Sequence, residues 1–191
     1  YEGFFDEAEY FDSCPASSII HLKFPRKDGK GDLKLTWMDG GLLPQRPDEM
    51  LPDEPMGNWG SGFIFEGTKG KLTGNYDKAP ILLPSSRMKE VTLPAKTMAR
   101  VPEGHYVQWV NACMKGFGKG VVSSPFEYAG PFTEAVLMGN LALRSYQMRK
   151  PNADGRGYTY PGRKKLLWDA KNMKITNFDE ANAFVKREYR S

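Results

Sequence analysis

The sequence predicts an α+β domain, in which an antiparallel or mixed sheet carries helices on one face. Segments in which apolar and polar residues alternate, the period of a half-buried strand, occupy the first half of the chain. Segments with helical periodicity follow in the second half. Strands and helices do not alternate as they do in βαβ units, so the order of elements favours α+β over α/β.

Length and composition are those of one globular domain. The chain has 191 residues, 40% of them hydrophobic, and a single core serves chains of up to roughly 250 residues. Residues 1–16 are aromatic and acidic without clear periodicity, and we expect them to form a lead-in segment. Residues 17–191 are expected to form a single domain. No segment approaches the roughly 18 consecutive apolar residues of a membrane span.

Charge and cysteine content exclude two classes of protein. The formal charge of +4 is weak for a nucleic-acid-binding domain, and the basic runs at residues 163–165 and 186–190 are interpreted as solvated side chains. Cys14 and Cys113 provide no disulfide framework. Cys113 is expected in the core, on the apolar face of a helix, and a disulfide between the two cysteines stays open.

The strand predictions rest on alternation and on glycine turns. Residues 17–37 form a hairpin around a turn with two glycines, and residues 63–66 and 71–73 form a second one. Residues 81–83 and 91–93 are short apolar strands, and residues 164–168 and 173–176 a final strand pair. Between the hairpins, residues 39–60 form a loop with four prolines, long enough to be functional or flexible.

Three helices are predicted from spacing and capping. The first carries an apolar stripe at i, i+3, i+4 and i+7 and ends at the glycines of residues 116–120. The second runs from about Pro131 to Met148, with Pro131 in its first turn. Asn177 is expected to cap the last helix. The stripe of the first helix consists of Tyr106, Trp109, Val110 and Cys113.

The familiar signatures of chemistry are missing from the sequence. No Gly-rich fingerprint of a nucleotide site and no Walker motif is present. The two histidines, His21 and His105, do not make a metal site, and structural roles are favoured for both. No GxSxG nucleophile motif is present, and no pair of carboxylates is singled out.

Two polar-aromatic segments are candidates for sugar binding. Trp37 offers a flat apolar face and Asp39 accepts hydroxyl hydrogen bonds, at the end of a predicted strand. The alternative is a turn in which Asp39 binds the backbone. Tyr158 and Arg163 belong to a second such loop, which could equally serve packing.

Four segments resemble one enzyme family: residues 35–41, the His105-x-x-x-Trp109 helix, residues 126–144 and residues 164–189. The chain resembles the C-terminal, non-nucleotide domain of Gfo/Idh/MocA-type oxidoreductases, the glucose-fructose oxidoreductase and inositol dehydrogenase relatives. The likeness is greatest to the secreted or periplasmic branch common in Bacteroidetes and Planctomycetes.

The resemblance implies an open, predominantly antiparallel sheet, like the C-terminal domain of dihydrodipicolinate reductase. It implies that NAD or NADP binds to an N-terminal Rossmann domain outside this chain, which also carries the catalytic lysine. The family's Glu-Lys-Pro motif and its Asp/His pair do not occur in this sequence, so no catalytic residue is assigned here, and His105 is not given that role. Trp37, Asp39, Tyr158 and Arg163 remain the candidates for substrate contact.

The expected function is therefore that of the substrate-binding and oligomerisation domain of an NAD(P)-dependent oxidoreductase that acts on a sugar or polyol. The expected partners are the Rossmann domain, a small sugar or polyol, and further copies of the chain that meet through the sheet, where His21 and Lys23 would lie. Periplasmic or secreted localisation follows from the resemblance alone. The alternatives are a carbohydrate-binding or scaffold module without redox chemistry, and a parent enzyme that is an NAD-assisted glycosidase or epimerase.

Overall fold

A computed structural model of the chain describes residues 15–57, 61–75 and 78–186. These residues form nine strands, two α-helices and two 3-10 helices, so the α+β class is confirmed. The lead-in predicted for residues 1–16 lies almost wholly outside the described residues. In chain order the elements are β1 (Ile19–Pro25), β2 (Asp32–Met38), β3 (Phe63–Gly67), β4 (Gly70–Gly74), β5 (Ile81–Leu83), a 3-10 helix (Ser85–Glu90), α1 (His105–Lys115), α2 (Phe126–Gln147), β6 (Lys150–Pro151), β7 (Tyr158–Thr159), β8 (Trp168–Asp169), β9 (Lys174–Ile175) and a second 3-10 helix (Asp179–Phe184).

The described strands form four small sheets of two or three strands each. β1 pairs with β2, and β3, β4 and β5 follow one another in an antiparallel sheet. β6 pairs with β7 and β8 with β9, both antiparallel. The two predicted hairpins are therefore confirmed, and the predicted final strand pair is present but shorter. The large open sheet implied by the resemblance is not among the sheets that the described strands form.

The Cα positions divide the chain into two compact units. Among the described residues, unit 1 comprises 15–37 and 100–186, and unit 2 comprises 38–99. Unit 1 contains both α-helices and all three two-stranded sheets. Unit 2 contains the three-stranded sheet and the first 3-10 helix. The prediction of a single domain over residues 17–191 stays a prediction.

The core of unit 1 lies where the end of α2 meets the last 3-10 helix. Ile175, Phe178 and Ala181 are buried there. Asn182 completes this corner, because its side-chain amide accepts a hydrogen bond from the Ile175 N–H (2.7 Å) and donates one to the Ile175 carbonyl (3.0 Å). A buried backbone that finds its partners in this way avoids the cost of unpaired polar groups. The partly buried residues packed around the core are Leu141, Met148, Leu166, Trp168 and Phe184.

The β1–β2 hairpin has one apolar face, and only part of it is covered. A Cβ atom placed on Gly139 of α2 would lie 3.1 Å from Cδ1 of Ile20, so helix and strand pack closely at this point. The apolar residues of β2 are exposed, and Trp37 is 58% accessible. The hairpin therefore presents an apolar strip along β2.

In unit 2, hydrogen bonds and an ion pair hold the loop that follows β2 together and against the three-stranded sheet. The Arg46 guanidinium donates to the carbonyl oxygens of Leu51 and Glu54. The Glu49 carboxylate lies 2.9 Å from Nζ of Lys71 on β4, and this hydrogen bond lowers the pKa of Glu49 and raises that of Lys71. Leu83 is the best-buried large side chain of the unit, at 2% exposure. The predicted loop is thus ordered by its own bonds to β4.

Two helix predictions need correction. α2 begins at Phe126, five residues before Pro131, because the backbone N–H groups of Tyr128 and Ala129 already bond to the Pro125 carbonyl (3.0 and 2.8 Å). Pro131 therefore lies inside the helix. Asn177 does not cap the last helix, whose N-cap is Phe178. Its amide instead bonds the backbone of the preceding segment, where it accepts from the Leu167 N–H and donates to the Lys165 carbonyl.

Two further expectations are wrong. Residues 91–93 have no strand geometry. Cys113 is an exposed free thiol, and α1, whose bounds match the predicted helix, buries none of its residues. Periodicity identifies the apolar face of a helix and does not identify what covers it, which is why the stripe was predicted correctly and its burial was not. Cys14 lies outside the described residues.

Candidate functional site

Trp37 and Asp39 stand at the end of β2, as the sequence predicts. Trp37 is the penultimate residue of the strand and is exposed. Asp39 is half-buried, and its carbonyl accepts a hydrogen bond from the Leu42 N–H (3.3 Å) across Gly40 and Gly41, both at positive φ. Glycine adopts this left-handed conformation without steric cost. The segment is a tight turn, which fits the turn interpretation of Asp39 as well as the sugar-binding one.

Tyr158 and Arg163 each take part in a cation–aromatic contact with a residue at or just after the C-terminal end of α2. Cζ of Arg163 lies 3.6 Å from the ring centroid of Tyr160 and 4.7 Å from that of Tyr146 in α2. Cζ of Arg149, just after α2, lies 4.4 Å from the ring centroid of Tyr158 in β7. Cations over aromatic faces attract the ring quadrupole. We call these five residues, Tyr146, Arg149, Tyr158, Tyr160 and Arg163, the tyrosine–arginine cluster.

A short hairpin brings the cluster together. β6 and β7 pair Lys150 with Thr159 and Pro151 with Tyr158. The turn between them is closed by hydrogen bonds from the Asn152 N–H to the Gly157 carbonyl (3.1 Å) and from the Asn152 side chain to the Arg156 carbonyl (2.6 Å). The chain therefore reverses its direction within a few residues, so Tyr158 and Tyr160 lie near the C-terminal end of α2.

Gly162 fixes the position of the loop that ends in Arg163. Gly162 is buried, and a Cβ atom added to it would overlap the backbone carbonyl of Ser145 in α2. The next turn is tight, since the Arg163 N–H donates to the Tyr160 carbonyl (3.2 Å) and the Lys164 N–H to the Gly162 carbonyl (2.8 Å). Only glycine lets the loop approach the helix this closely, and this approach sets Arg163 against Tyr146.

The cluster lies in the most basic part of the chain. Residues 144–165 contain seven basic residues and one acidic residue, a formal charge of +6, whereas the whole chain carries +4. Lys150 is neutralised by Glu180, with Nζ and Oε1 2.7 Å apart. The weak net charge of the chain therefore conceals a local positive region.

Of the four predicted site residues, Tyr158 and Arg163 belong to the tyrosine–arginine cluster, where Tyr158 contacts Arg149 and Arg163 contacts Tyr146 and Tyr160. Trp37 belongs to the same unit but lies in the β1–β2 hairpin. Asp39 belongs to unit 2. Sequence reasoning missed Tyr146 and Arg149. A signal for them is the alternation of basic and aromatic residues over 144–165, of which only the basic run at 163–165 was considered from the sequence.

The predicted interface residues lie on the polar face of the β1–β2 hairpin. Nδ1 of His21 is 3.1 Å from Oγ1 of Thr36, and Nζ of Lys23 is 3.7 Å from Oδ2 of Asp32. Between the strands lies a shallow groove of about 240 Å³ that His21, Lys23 and Lys34 help to line. The bonds of His21 and Lys23 are those of cross-strand pairs on an exposed sheet.

The residues present do not fit a nicotinamide nucleotide or a metal ion. In the described part of the chain, no strand leads through a Gly-rich turn into an α-helix, the arrangement that binds a pyrophosphate. The residues described by the structure also bring no three His, Cys, Asp or Glu side chains together as metal ligands.

Comparison with models of known families and with curated proteins found no match to this chain. Over residues 15–57, 61–75 and 78–186, no helix combines the length and the apolar character that a membrane crossing needs. The functional argument therefore rests on the residues themselves and on the resemblance described above.

Proposed function

We propose that this chain is the substrate-binding and oligomerisation domain of an NAD(P)-dependent oxidoreductase of the Gfo/Idh/MocA type, acting on a sugar or polyol. The observation that carries the proposal is the tyrosine–arginine cluster. Tyr158 and Arg163, chosen from the sequence as substrate contacts, lie in it with further phenol and guanidinium groups. Tyr146 and Tyr158 are about half exposed, and tyrosine rings and hydroxyls suit the apolar faces and hydroxyls of a sugar.

In this proposal the chain binds and orients the substrate, and another domain supplies the nicotinamide cofactor. The residues present do not fit the cofactor, so no hydride-transfer step is assigned to them. Holding a substrate in a reactive orientation is a large part of catalysis, and this is the role given to the cluster.

The exposed apolar faces support the expectation of a partner domain and further subunits. Trp37 of β2 and Trp109 of α1 are both about 60% exposed, and large apolar areas at a surface mark interaction sites. The open sheet implied by the resemblance would need further strands at an edge of the β1–β2 hairpin. The exposed apolar strip of β2 lies on the face of the hairpin, where a partner domain or subunit could cover it.

A carbohydrate-binding module without redox chemistry is the second candidate. The observation that favours it is that all five residues of the cluster belong to unit 1, so a sugar site there requires no other domain. Saturable sugar binding with no nicotinamide-dependent turnover in the whole gene product would support this alternative.

The gene that encodes this chain provides the first test. We expect a Gly-rich strand–turn–helix unit, a Glu-Lys-Pro motif and an Asp/His pair in the coding sequence before Tyr1, and NAD(P)⁺ reduction by the encoded protein with a sugar or polyol. An unrelated domain there, or full-length protein that neither binds nor reduces NAD(P)⁺, would overturn the oxidoreductase proposal.

A further inference from the structure

The Arg163 guanidinium contacts aromatic rings rather than a carboxylate. Its guanidinium lies over Tyr160 and Tyr146, at 3.6 and 4.7 Å from the ring centroids. Within the described ranges it forms no ion pair, and its side chain donates no hydrogen bond. Arg163 is nevertheless exposed, so its donors face solvent.

The stacked position prepares the guanidinium for an oxyanion. A guanidinium carries five N–H donors in its own plane, in a fork that matches carboxylate or phosphate oxygens. The aromatic contacts use none of these donors in an ion pair or side-chain hydrogen bond to the described residues, and the exposed side chain can present them to a ligand. The side chain is also restrained before binding, which reduces the entropy lost when a ligand is held.

The tyrosines of the cluster are poorly suited to stacking nucleic-acid bases. Each ring already has an arginine over one face, Arg163 for Tyr146 and Tyr160 and Arg149 for Tyr158. Binding of single strands depends on open aromatic faces on which successive bases stack. The rings therefore serve here to hold the arginines, and Arg163 is the cation of the cluster that we assign to the ligand.

We infer that the tyrosine–arginine cluster binds the anionic group of an acidic sugar, with Arg163 as the residue that recognises the oxyanion. This inference rests on the proposed sugar-binding function and narrows its substrate class to sugars that carry a carboxylate or a phosphate. The local charge of +6 over residues 144–165 would attract such a ligand. The exposed phenols of Tyr146 and Tyr158 could donate to or accept from its neutral hydroxyl groups.

The test is calorimetric titration of the chain at constant ionic strength with D-glucuronate, D-glucose 6-phosphate, D-glucose and inorganic phosphate. We expect one of the acidic sugars to bind roughly tenfold to a hundredfold more tightly than glucose, the effect of one charge-assisted hydrogen-bonded contact. Inorganic phosphate should bind more weakly than the acidic sugar. The tighter of the two acidic sugars identifies the anionic group as carboxylate or phosphate.

Variants separate a specific contact from general positive charge. Arg163→Gln should lower the affinity for the acidic sugar at least tenfold and the affinity for glucose by a clearly smaller factor. Arg163→Lys keeps the charge without the fork and should give an intermediate loss. Arg156→Gln is the matched control, because Arg156 lies in the same basic segment and makes none of the cation–aromatic contacts that define the cluster, and it should bind like the wild type.

Each contrary outcome would overturn a different part of the argument: the acidic-sugar inference alone, or the proposed function as well. Equal affinity for glucose and the acidic sugars, or an equal loss in Arg156→Gln and Arg163→Gln, would overturn the inference while sugar binding by the chain stands. Tighter binding of a single-stranded oligonucleotide would overturn it in favour of nucleic acid. If neither the chain nor the full gene product binds any of the sugars, the proposed function falls with it. Circular dichroism checks the fold of each variant, and the wild-type titrations decide the matter even where a variant does not fold.

Discussion

Unit 1 and unit 2 are stabilised by different kinds of contact between distant segments. In unit 1 the segments after α2 are held by apolar packing around Ile175 and by cations stacked on aromatic rings, among them Arg144 over Phe184 and Lys164 over Phe178. These contacts depend on shape and on groups that stay charged at ordinary pH values. Unit 1 adds two long-range carboxylate contacts, because Glu180 lies 2.7 Å from Lys150 and Glu134 accepts a hydrogen bond from Trp168 (2.6 Å).

In unit 2 the corresponding connections pass through carboxylates. Glu49 binds Lys71 across 22 positions of sequence, and hydrogen bonds from the Ser85 side chain and the Leu51 N–H lower the pKa of Glu54. Unit 1 also has carboxylates of lowered pKa, Asp28 and Asp169, but their main partners lie only two or three residues away. Losing those bonds would loosen a turn, whereas losing the bonds of unit 2 would detach its loop.

The two units should therefore respond to different perturbations. Unit 1 should be sensitive to changes of volume, because it depends on close packing around few buried residues. Unit 2 should be sensitive to acid as well. The predictions below test this contrast in order of decreasing effect.

Truncation of the best-buried apolar side chains should have the largest effect. Ile175→Ala removes a side chain that is 3% exposed and should lower the free energy of unfolding by about 2–5 kcal/mol, through lost transfer energy and a residual cavity. Leu83→Ala, the counterpart in unit 2, should cost a similar amount if apolar burial also matters there. Urea unfolding gives the magnitude, and hydrogen exchange shows which unit loses protection. A loss below about 1 kcal/mol in Leu83→Ala would mean that polar bonds alone hold unit 2.

A methyl group at Gly162 should have the next largest effect. Gly162→Ala forces the loop away from the Ser145 carbonyl and should destabilise the protein by about 1–3 kcal/mol. The displaced loop should also weaken ligand binding at Arg163. Gly130→Ala is the matched control, because apart from its chain neighbours its Cβ would meet nothing within 4 Å in α2. The helix preference of alanine is opposed there by crowding from the following Pro131, so the variant should change stability by less than about 1 kcal/mol. Equal melting temperatures for the two variants would contradict the close approach of loop and helix.

Acid should loosen unit 2 before unit 1. Folding lowers the pKa of Glu49 and Glu54, so their stabilisation is complete above the ordinary carboxyl pKa and is lost as the pH falls through the lowered, folded-state values. Folding raises the pKa of Lys71, so its share persists to alkaline pH and is lost only as the pH rises through the raised value. Hydrogen exchange in residues 38–57, followed from neutral pH into the acid range and corrected for intrinsic rates, measures the effect.

A pair of glutamine variants shows whether Glu49 is responsible. Glu49→Gln should flatten the acid response of unit 2, because it removes the carboxylate that lies 2.9 Å from Lys71. Glu66→Gln should leave the response almost unchanged, since Glu66 is 4.0 Å from the same ammonium group and its side chain is 71% exposed. If both variants behave alike, the contact between Glu49 and Lys71 does not tie the loop to β4.

The parts of the fold that sequence could predict are those set by neighbours in the chain. The two long hairpins follow from alternation and glycine turns, and the end of α1 follows from Gly116, which adopts positive φ. Asn177 and Asn182 could not be predicted in their roles, because their amides bond backbone groups of segments that only the fold brings near. The start of α2 was missed because Pro131 suits a first turn but is also tolerated inside the helix.

The residues of the candidate site also fall into those that the sequence could predict and those that depend on the fold. Tyr158 and Arg163 belong to one short loop, and their residue types were enough to choose them. Tyr146 lies in α2 and Arg149 just after it. They contact Arg163 and Tyr158 because the chain reverses its direction at residues 152–157. Their inclusion depends on the pairing of β6 with β7, two strands too short to show alternation.

Two buried hydroxyls give the finest test of the contrast between the units. Thr73 in unit 2 donates a hydrogen bond to the Phe63 carbonyl (3.1 Å), whereas the hydroxyl of Ser145 in unit 1 is buried with no partner among the described residues. Thr73→Val should therefore cost about 0.5–1.5 kcal/mol. Ser145→Ala should change the unfolding free energy by less than about 0.5 kcal/mol or raise it slightly, since alanine also favours the helix. A loss in Ser145→Ala as large as that in Thr73→Val would show that the Ser145 hydroxyl has an acceptor, as the Thr73 hydroxyl does.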